Sequence, residues 1–336
     1  MKEAGFKVVF TDHDAFPDLT VTQKIIEEGG GRLIGAQAVT EDRVIEVAEY
    51  ADGLIVQYAP ISRKVIESLR KCKVIVRTGI GYDNVDIEAA TEHGICVANV
   101  PDFCVGEVAD ATMALILALA TKITEFDRAA KKGIWSHTLA GRMFRIQGRT
   151  LGLIGFGKIG KAVAKRAQPF GFDIIAFDPR LAKATPRECL VRKATFEELL
   201  RSSDFVSIHA PLTDQTRHIL GRRELRMMKK GAYIVNTSRG GLIDEQALYE
   251  ALTKGWIAGA GLDVLEKEPP TRTSFSASQY PLLRLENVII TSHSSWYTDE
   301  SMRELLVRPA QEVLRVLKGQ WPEALVNPEV KQKARV

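Results

Sequence analysis

Arg239, Glu268 and His293 are the side chains whose types and settings best suit proton and anion chemistry. Each follows a short apolar, β-branched run: Arg239 after 232–236, Glu268 after a run ending at Asp263, His293 after 288–291. Ligands of an open parallel sheet bind beyond the carboxyl ends of its strands, so residues at three such ends would meet in one crevice. There an arginine can fork onto a carboxylate or keto oxygen. A histidine can protonate a developing alkoxide and recover the proton in the reverse direction, and a glutamate on its other ring nitrogen would hold the tautomer. Together they suit hydride transfer at the α-carbon of a 2-keto or 2-hydroxy acid. Singly, each has a plainer use: a surface ion pair, a helix cap, a hydrogen-bonded core histidine.

A hydride needs a carrier, and Gly155-Phe156-Gly157-Lys158-Ile159-Gly160 supplies its sequence signature. This G-x-G-x-x-G follows an apolar strand pattern and opens a helical one, the context that separates a dinucleotide fingerprint from a chance glycine turn. The first glycine makes the turn, the second lets backbone approach a pyrophosphate, and the third lets helix pack on strand. Asp178 ends the next strand pattern, where a carboxylate accepts ribose hydroxyls and repels a 2′-phosphate, so NAD is expected. Arg180, two residues on, leaves acceptance of NADP open. His209 also ends a strand, and Ala210-Pro211-Leu212 reads as a loop over the cofactor. His13, His93, His137 and His218 read as structural or exposed.

The elements that must position these residues form two series of β-branched runs alternating with helical patterns, the mark of parallel sheets. The first series uses 6–10, 54–57, 74–77 and 96–98 as strands, with an amphipathic helix over 43–50. The second uses 150–154, 173–177, 205–209, 232–236, 257–263 and 288–291. Asp244 is placed to cap a helix, and Pro269-Pro270 stiffens the chain after Glu268. Between the series an Ala-, Leu- and Met-rich pattern over 107–132, without internal Gly or Pro, predicts one long connecting helix. A last helix is expected over 300–317.

Composition agrees with a two-domain globular protein: 336 residues, 45% apolar and 26% charged. The net charge of +4 is dispersed, apart from Arg222-Arg223 and the tail 331–335, which argues against nucleic-acid binding. The longest apolar run, 111–120, is half of what a bilayer requires, so no membrane partner is expected. Cys72, Cys96, Cys104 and Cys189 form no C-x-x-C pair, so neither metal site nor disulfide framework is expected, and a reducing, cytoplasmic setting is.

Several segments carry a wider likeness: 79–86 (GIGYDNVD), 209–212 (HAPL), 235–241 (VNTSRGG), 262–264 (LDV) through Glu268-Pro269, and 291–293 (TSH). With the glycine fingerprint, these resemble the D-isomer-specific 2-hydroxyacid dehydrogenase family across nearly the whole chain. The resemblance implies an α/β fold of two doubly wound parallel-sheet domains, a Rossmann NAD-binding domain (102–293) inserted in a flavodoxin-like substrate domain (1–101 and 294–336). It implies that the amides of Ile80 and Gly81 bind the substrate carboxylate and that Asp263 lies near the nicotinamide amide. Further cofactor contacts implied are Pro179, Arg180, Thr216, Thr237, Ser238, Arg239, His293 and Ser295. A homodimer and D stereochemistry follow by the same analogy, with glyoxylate- or hydroxypyruvate-like acids as substrates. Val108 stands where many relatives have Thr, removing one cofactor contact. Trp296-Tyr297 resembles the C-terminal-binding-protein branch, where an aromatic residue lines the substrate pocket; Trp296 reads equally as a packing residue at a helix start. An NAD-sensing interaction protein of that branch and 3-phosphoglycerate oxidation are the rival functions. Formate dehydrogenase pairs its histidine with Gln, and Glu268 argues against it.

Overall fold

A computed structural model describes residues 5–16, 18–139, 141, 143–181, 191–269 and 274–333. Cys189, Pro270 and the end of the basic tail fall outside these. The chain divides into two compact units, one running to Phe103 and resuming at Thr298, the other spanning Cys104–Tyr297.

In the first unit, parallel strands β1 (Phe6–Phe10), β2 (Gly31–Gly35), β3 (Gly53–Val56), β4 (Val74–Arg77) and β5 (Cys96–Ala98) form a sheet ordered β2-β1-β3-β4-β5. Helices α1 (Thr20–Glu28), α2 (Glu41–Ala48), α3 (Arg63–Ser68) and α4 (Ile87–Glu92) make the crossovers. The central strands are buried along their whole length, which explains their continuous apolar runs. β2, Gly-Arg-Leu-Ile-Gly, lies at an edge, and its mixed composition leaves no apolar periodicity to read. The chain's return to this unit is anchored by Asn327, fully buried, whose side chain accepts from Val97 N–H and donates to the Ile95 carbonyl.

The second unit begins with α5 (Val105–Thr121) and α6 (Ile123–Lys131). The single helix expected over 107–132 is thus two. Lys122 breaks it with a left-handed backbone, φ 51°, and its N–H caps the preceding turn at the Ala118 carbonyl. A left-handed residue ends an α-helix without any Gly or Pro, so composition did not reveal the break.

Strands β6 (Thr150–Ile154), β7 (Asp173–Phe177), β8 (Val191–Lys193), β9 (Phe205–Ile208), β10 (Tyr233–Asn236), β11 (Gly259–Leu262) and β12 (Val288–Ile290) follow. Helices α7 (Lys158–Ala167), α8 (Phe196–Ser202), α9 (Arg222–Met227) and α10 (Glu245–Thr253) connect them, and α11 (Asp299–Leu317) belongs to the first unit. The order β12-β11-β10-β9-β6-β7-β8 is parallel throughout and reverses direction beside β6, a doubly wound sheet. β8 is a further strand beyond the six expected; Val-Arg-Lys at an edge carries little apolar signal. Two clusters of buried residues flank the sheet, one centred on Ile208, Ile234 and Leu248, the other on Leu151, Leu153 and Ile116 of α5.

The unit boundaries fall at 103/104 and 297/298 rather than 101/102 and 293/294. Residues 293–295 donate their backbone N–H groups to the Asp263 carbonyl and carboxylate, which ties them to the second unit.

Candidate active site

The turn from β6 into α7 does what its three glycines require. Gly155 has φ 91°, and a Cβ there would meet the His209 carbonyl oxygen at 2.6 Å. A Cβ on Gly160 would meet the Gly155 carbonyl at 2.4 Å, whereas Gly157 faces open space. The backbone is therefore bare on the side where α7 starts, and the first-turn N–H groups of a ten-residue helix face that opening.

Asp178 is nearly buried. Its Oδ2 accepts from Phe156 N–H at 2.9 Å and its Oδ1 from Arg180 N–H at 2.8 Å. Burial pushes the carboxyl up, but those two amides and the Arg180 guanidinium at 3.6 Å outweigh it, holding the group below the usual range. One carboxylate thus braces the glycine loop from β7, keeping its charge at the end of the strand. Pro179 and Lys158 are exposed beside it, and Ile159 is partly buried.

His209 N–H donates to the Ile154 carbonyl at 2.7 Å, placing the residue against the glycine turn. Its Nε2 pairs with Ser207 Oγ at 2.9 Å. Desolvation pulls its pKa down to about 4, so the ring is neutral at ordinary pH. His209 Nδ1 and Ser295 Oγ are enclosed and lack a protein hydrogen-bond partner. Buried polar atoms without partners are costly, and a dinucleotide rich in donors and acceptors would satisfy them. Thr216 Oγ closes the 211–216 loop on the Pro211 carbonyl at 2.7 Å, with Ala210 and Pro211 at its start.

The registers Asn236↔Leu262 and Leu262↔Ile290 put the ends of β10, β11 and β12 side by side. After β10, the Asn236 side chain donates to the Arg239 carbonyl and accepts from Ser238 N–H, folding Thr237–Arg239 into a tight turn. Ser238 Oγ donates to the Ile208 carbonyl at 2.8 Å, joining this turn to the strand end next to His209. Arg239 is half-buried, one Nη holding the Ser238 carbonyl at 2.9 Å. Asp244 caps α10 as expected, accepting from Ala247 N–H at 3.0 Å.

After β12, His293 takes a left-handed backbone, φ 52°, and its N–H donates to the Asp263 carbonyl. Its Nδ1 lies 3.0 Å from both oxygens of Glu268. Asp263, 2% exposed, accepts from Thr291 Oγ at 2.5 Å, Ser294 N–H at 2.9 Å and Ser295 N–H at 3.0 Å. This buried carboxylate is the hub on which the histidine loop turns.

Trp296 is partly buried, its ring edge-on to Tyr297 at 5.6 Å. Ile80 and Gly81 lie in the first unit, in the loop after β4, where the Asn99 side chain donates to the Ile80 carbonyl at 2.7 Å. Val108 is buried, and the hydroxyl that α5 offers the β10 turn comes instead from Thr112, 2.9 Å from Thr237 Oγ. Thr112, Ser207 and Thr291 escaped the sequence reading. The available signal was spacing: Thr112 stands one helical turn after Val108, and Ser207 and Thr291 two residues before a strand-end histidine. Among the described residues, no group of three or more His, Cys, Asp or Glu could hold a metal ion.

A glycine turn of the dinucleotide-binding kind and a His–Glu pair able to hold a proton, at the carboxyl end of one doubly wound sheet, suit one class, the nicotinamide-dependent oxidoreductases. Residues 113–295 match the family model for the NAD binding domain of D-isomer specific 2-hydroxyacid dehydrogenases. The D-3-phosphoglycerate dehydrogenase of Methanocaldococcus jannaschii is 43% identical over 92% of this chain, which spans 58% of that relative's length. The glyoxylate reductase of Korarchaeum cryptofilum is 40% identical over 85% of this chain and 86% of its own. Among solved structures, D-lactate dehydrogenase from Aquifex aeolicus, complexed with NAD and lactic acid, superposes with a TM-score of 0.86 at 27% identity, covering 95% of this chain and 99% of its own. The chain belongs to the D-isomer specific 2-hydroxyacid dehydrogenase family, oxidoreductases that exchange hydride between NAD(H) and 2-hydroxy or 2-keto acids.

Proposed function

We propose that this protein reduces small, unphosphorylated 2-keto acids of the glyoxylate and hydroxypyruvate kind with NADH, giving the D-2-hydroxy acid where a new stereocentre forms. The bond between His293 and Glu268, on loops after adjacent strands, carries the reading. Residues 155–160 and Asp178 would hold the dinucleotide by its pyrophosphate and ribose, and its nicotinamide would supply hydride to the α-carbon. Arg239 grips the carboxylate and keto oxygen, orienting the carbonyl and drawing charge toward its oxygen. The amides of Ile80 and Gly81 are the assigned anchor for the substrate carboxylate. As charge develops on the keto oxygen, His293 delivers its Nε2 proton while Glu268 on Nδ1 fixes the ring and balances its charge. In the oxidation direction the same nitrogen takes the proton back. Trp296 is assigned to limit the substrate side chain, and Asp178 to favour NAD over NADP by repelling a 2′-phosphate.

A phosphorylated substrate, as named for the M. jannaschii relative, suits the first unit less well. The loops at the carboxyl edge of its sheet, 11–14, 57–60, 78–84 and 99–103, carry Asp12, Asp14, Asp83 and Asp102 and no Lys or Arg. Arg77, ending β4, is 8% exposed, its guanidinium tucked where a Gly79 side chain would lie. A phosphate there would find no cation on these loops, and the Arg308 guanidinium that reaches them is already paired with Asp102 at 2.8 Å.

We further infer a cytoplasmic homodimer. Among the described residues no helix is long and apolar enough to cross a membrane. Ile134, Trp135, Leu139 and Met143 expose apolar surface after α6, Trp135 at 94%, a patch of the kind that marks an interface. Light scattering at micromolar concentration should give twice the 37.2 kDa chain mass; a monomer would refute the dimer. The catalytic assignment is tested by His293→Ala, expected to lower kcat by about 10²- to 10⁴-fold with a much smaller change in NADH affinity. Near-full turnover in that variant would overturn it.

A further inference from the structure

Two residues before Glu268, Glu266 is held from three sides by groups that neither the fingerprint nor the proton-handling pair uses. Its Oε1 lies 2.7 Å from His218 Nε2, with Arg217 Nη1 at 3.8 Å from the same oxygen. Its backbone N–H donates to Glu245 Oε1 at 2.5 Å, on the first residue of α10. On the remaining side stands Gly240, where a Cβ would fall 1.9 Å from the Leu265 carbonyl carbon and 2.2 Å from Glu266 nitrogen. The turn bearing Arg239 and the loop bearing Glu268 are therefore in backbone contact.

The segment supplying His218 is fastened to that same turn. His218 N–H donates to the Gly241 carbonyl at 2.8 Å, Leu220 N–H to Leu242 and Asp244 N–H back to Leu220. His218 takes a left-handed backbone, φ 51°, unfavourable for a residue with a side chain and kept only where the surroundings over-determine it. Its side chain is 40% exposed and that of Glu266 28%, so the pair adds little to global stability.

We propose that His218 and Glu266 form a positioning clip that sets the Glu268 carboxylate on His293 Nδ1, making both of them positioning residues for proton transfer. This rests on the assignment of His293 and Glu268 above. Only Lys267 separates Glu266 from Glu268, so a shift of the anchored carboxylate passes almost undiminished to the one that holds the imidazole. Misplacement by about 1 Å costs up to about a hundredfold in rate, and a partial loosening costs less.

The test compares His218→Ala, Glu266→Ala, the double variant and His218→Gln, whose amide can still donate to Glu266. With the 2-keto acid turned over best by the unaltered protein, each alanine variant should lower kcat about five- to tenfold. KM and NADH affinity should stay within about twofold. The double variant should be no slower than the slower single one, as expected for residues acting as one unit, and His218→Gln should recover to within about twofold. The Nδ1 proton of His293, seen downfield by NMR while bonded to Glu268, should broaden or vanish in the alanine variants. That signal tests the clip even in a protein that reduces no 2-keto acid, so a failed activity assay of the unaltered chain counts against the assigned function alone. Unchanged kcat together with an unchanged His293 proton in both alanine variants would overturn the clip.

Discussion

Asp263 has room for about four hydrogen bonds on its two oxygens, and the His293 loop takes three of them. One acceptor position is left for a donor such as the nicotinamide amide, the contact implied by family resemblance. Hydrogen bonds to a buried carboxylate contribute about 1.5–3 kcal/mol each, enough to hold His293 in its left-handed conformation. Asp263→Asn would turn an amino group toward one of the Ser294 and Ser295 N–H donors, so kcat should fall about 10- to 100-fold with a smaller change in KM. Equal kcat in the variant would show that the hub does not govern the histidine. At the residue scale, the placement of Arg239, Glu268 and His293 beyond strand ends was legible in sequence, because each follows a recognisable strand. His218 was passed over as structural or exposed. Nothing in its local sequence reveals a partner 48 residues away, and a contact of that kind appears only after the chain has folded.

Strand–helix alternation placed most strands to within a residue or two, since buried parallel strands write their burial as unbroken Val, Ile and Leu. β2 and β8 were illegible because edge strands need no such run, and the break at Lys122 because it is a matter of backbone angle. The glycine turn was the most legible element of all, its spacing being dictated by close contacts. Gly155→Ala tests that: a methyl group at φ 91°, 2.6 Å from the His209 carbonyl, forces the turn off the strand ends. NADH should bind at least about tenfold more weakly, with about 1–3 kcal/mol lost from the stability of the second unit. Calorimetry and NADH fluorescence titration measure the two effects. Native affinity in this variant would contradict the steric account.

Over the whole molecule, division into two units was expected from chain length and from two strand series. Its boundaries moved by two and four residues, because residues after β12 answer to Asp263 rather than to the helix they precede. Acid sensitivity belongs to this scale as well. His209 has a folded pKa of about 4 against 6.5 unfolded, so between those values the unfolded chain binds a proton that the native ring does not. Stability is then full above pH 6.5 and falls as pH drops toward 4, by at most about 3.5 kcal/mol at ~1.4 kcal/mol per pH unit. Thermal unfolding of the second unit between pH 7.5 and 4.5 should show this decline, and His209→Gln should flatten it. Parallel curves for the two proteins would remove His209 as the cause.

The central claim, NADH-dependent reduction of a small unphosphorylated 2-keto acid, is tested most directly by following NADH absorbance with glyoxylate, hydroxypyruvate and 3-phosphohydroxypyruvate in parallel, and with NADPH in place of NADH. Turnover of glyoxylate or hydroxypyruvate with NADH, at least about tenfold above the rates with the phosphorylated acid and with NADPH, is the predicted result; a preference for 3-phosphohydroxypyruvate, or no oxidation of NADH with any of the three, would contradict it.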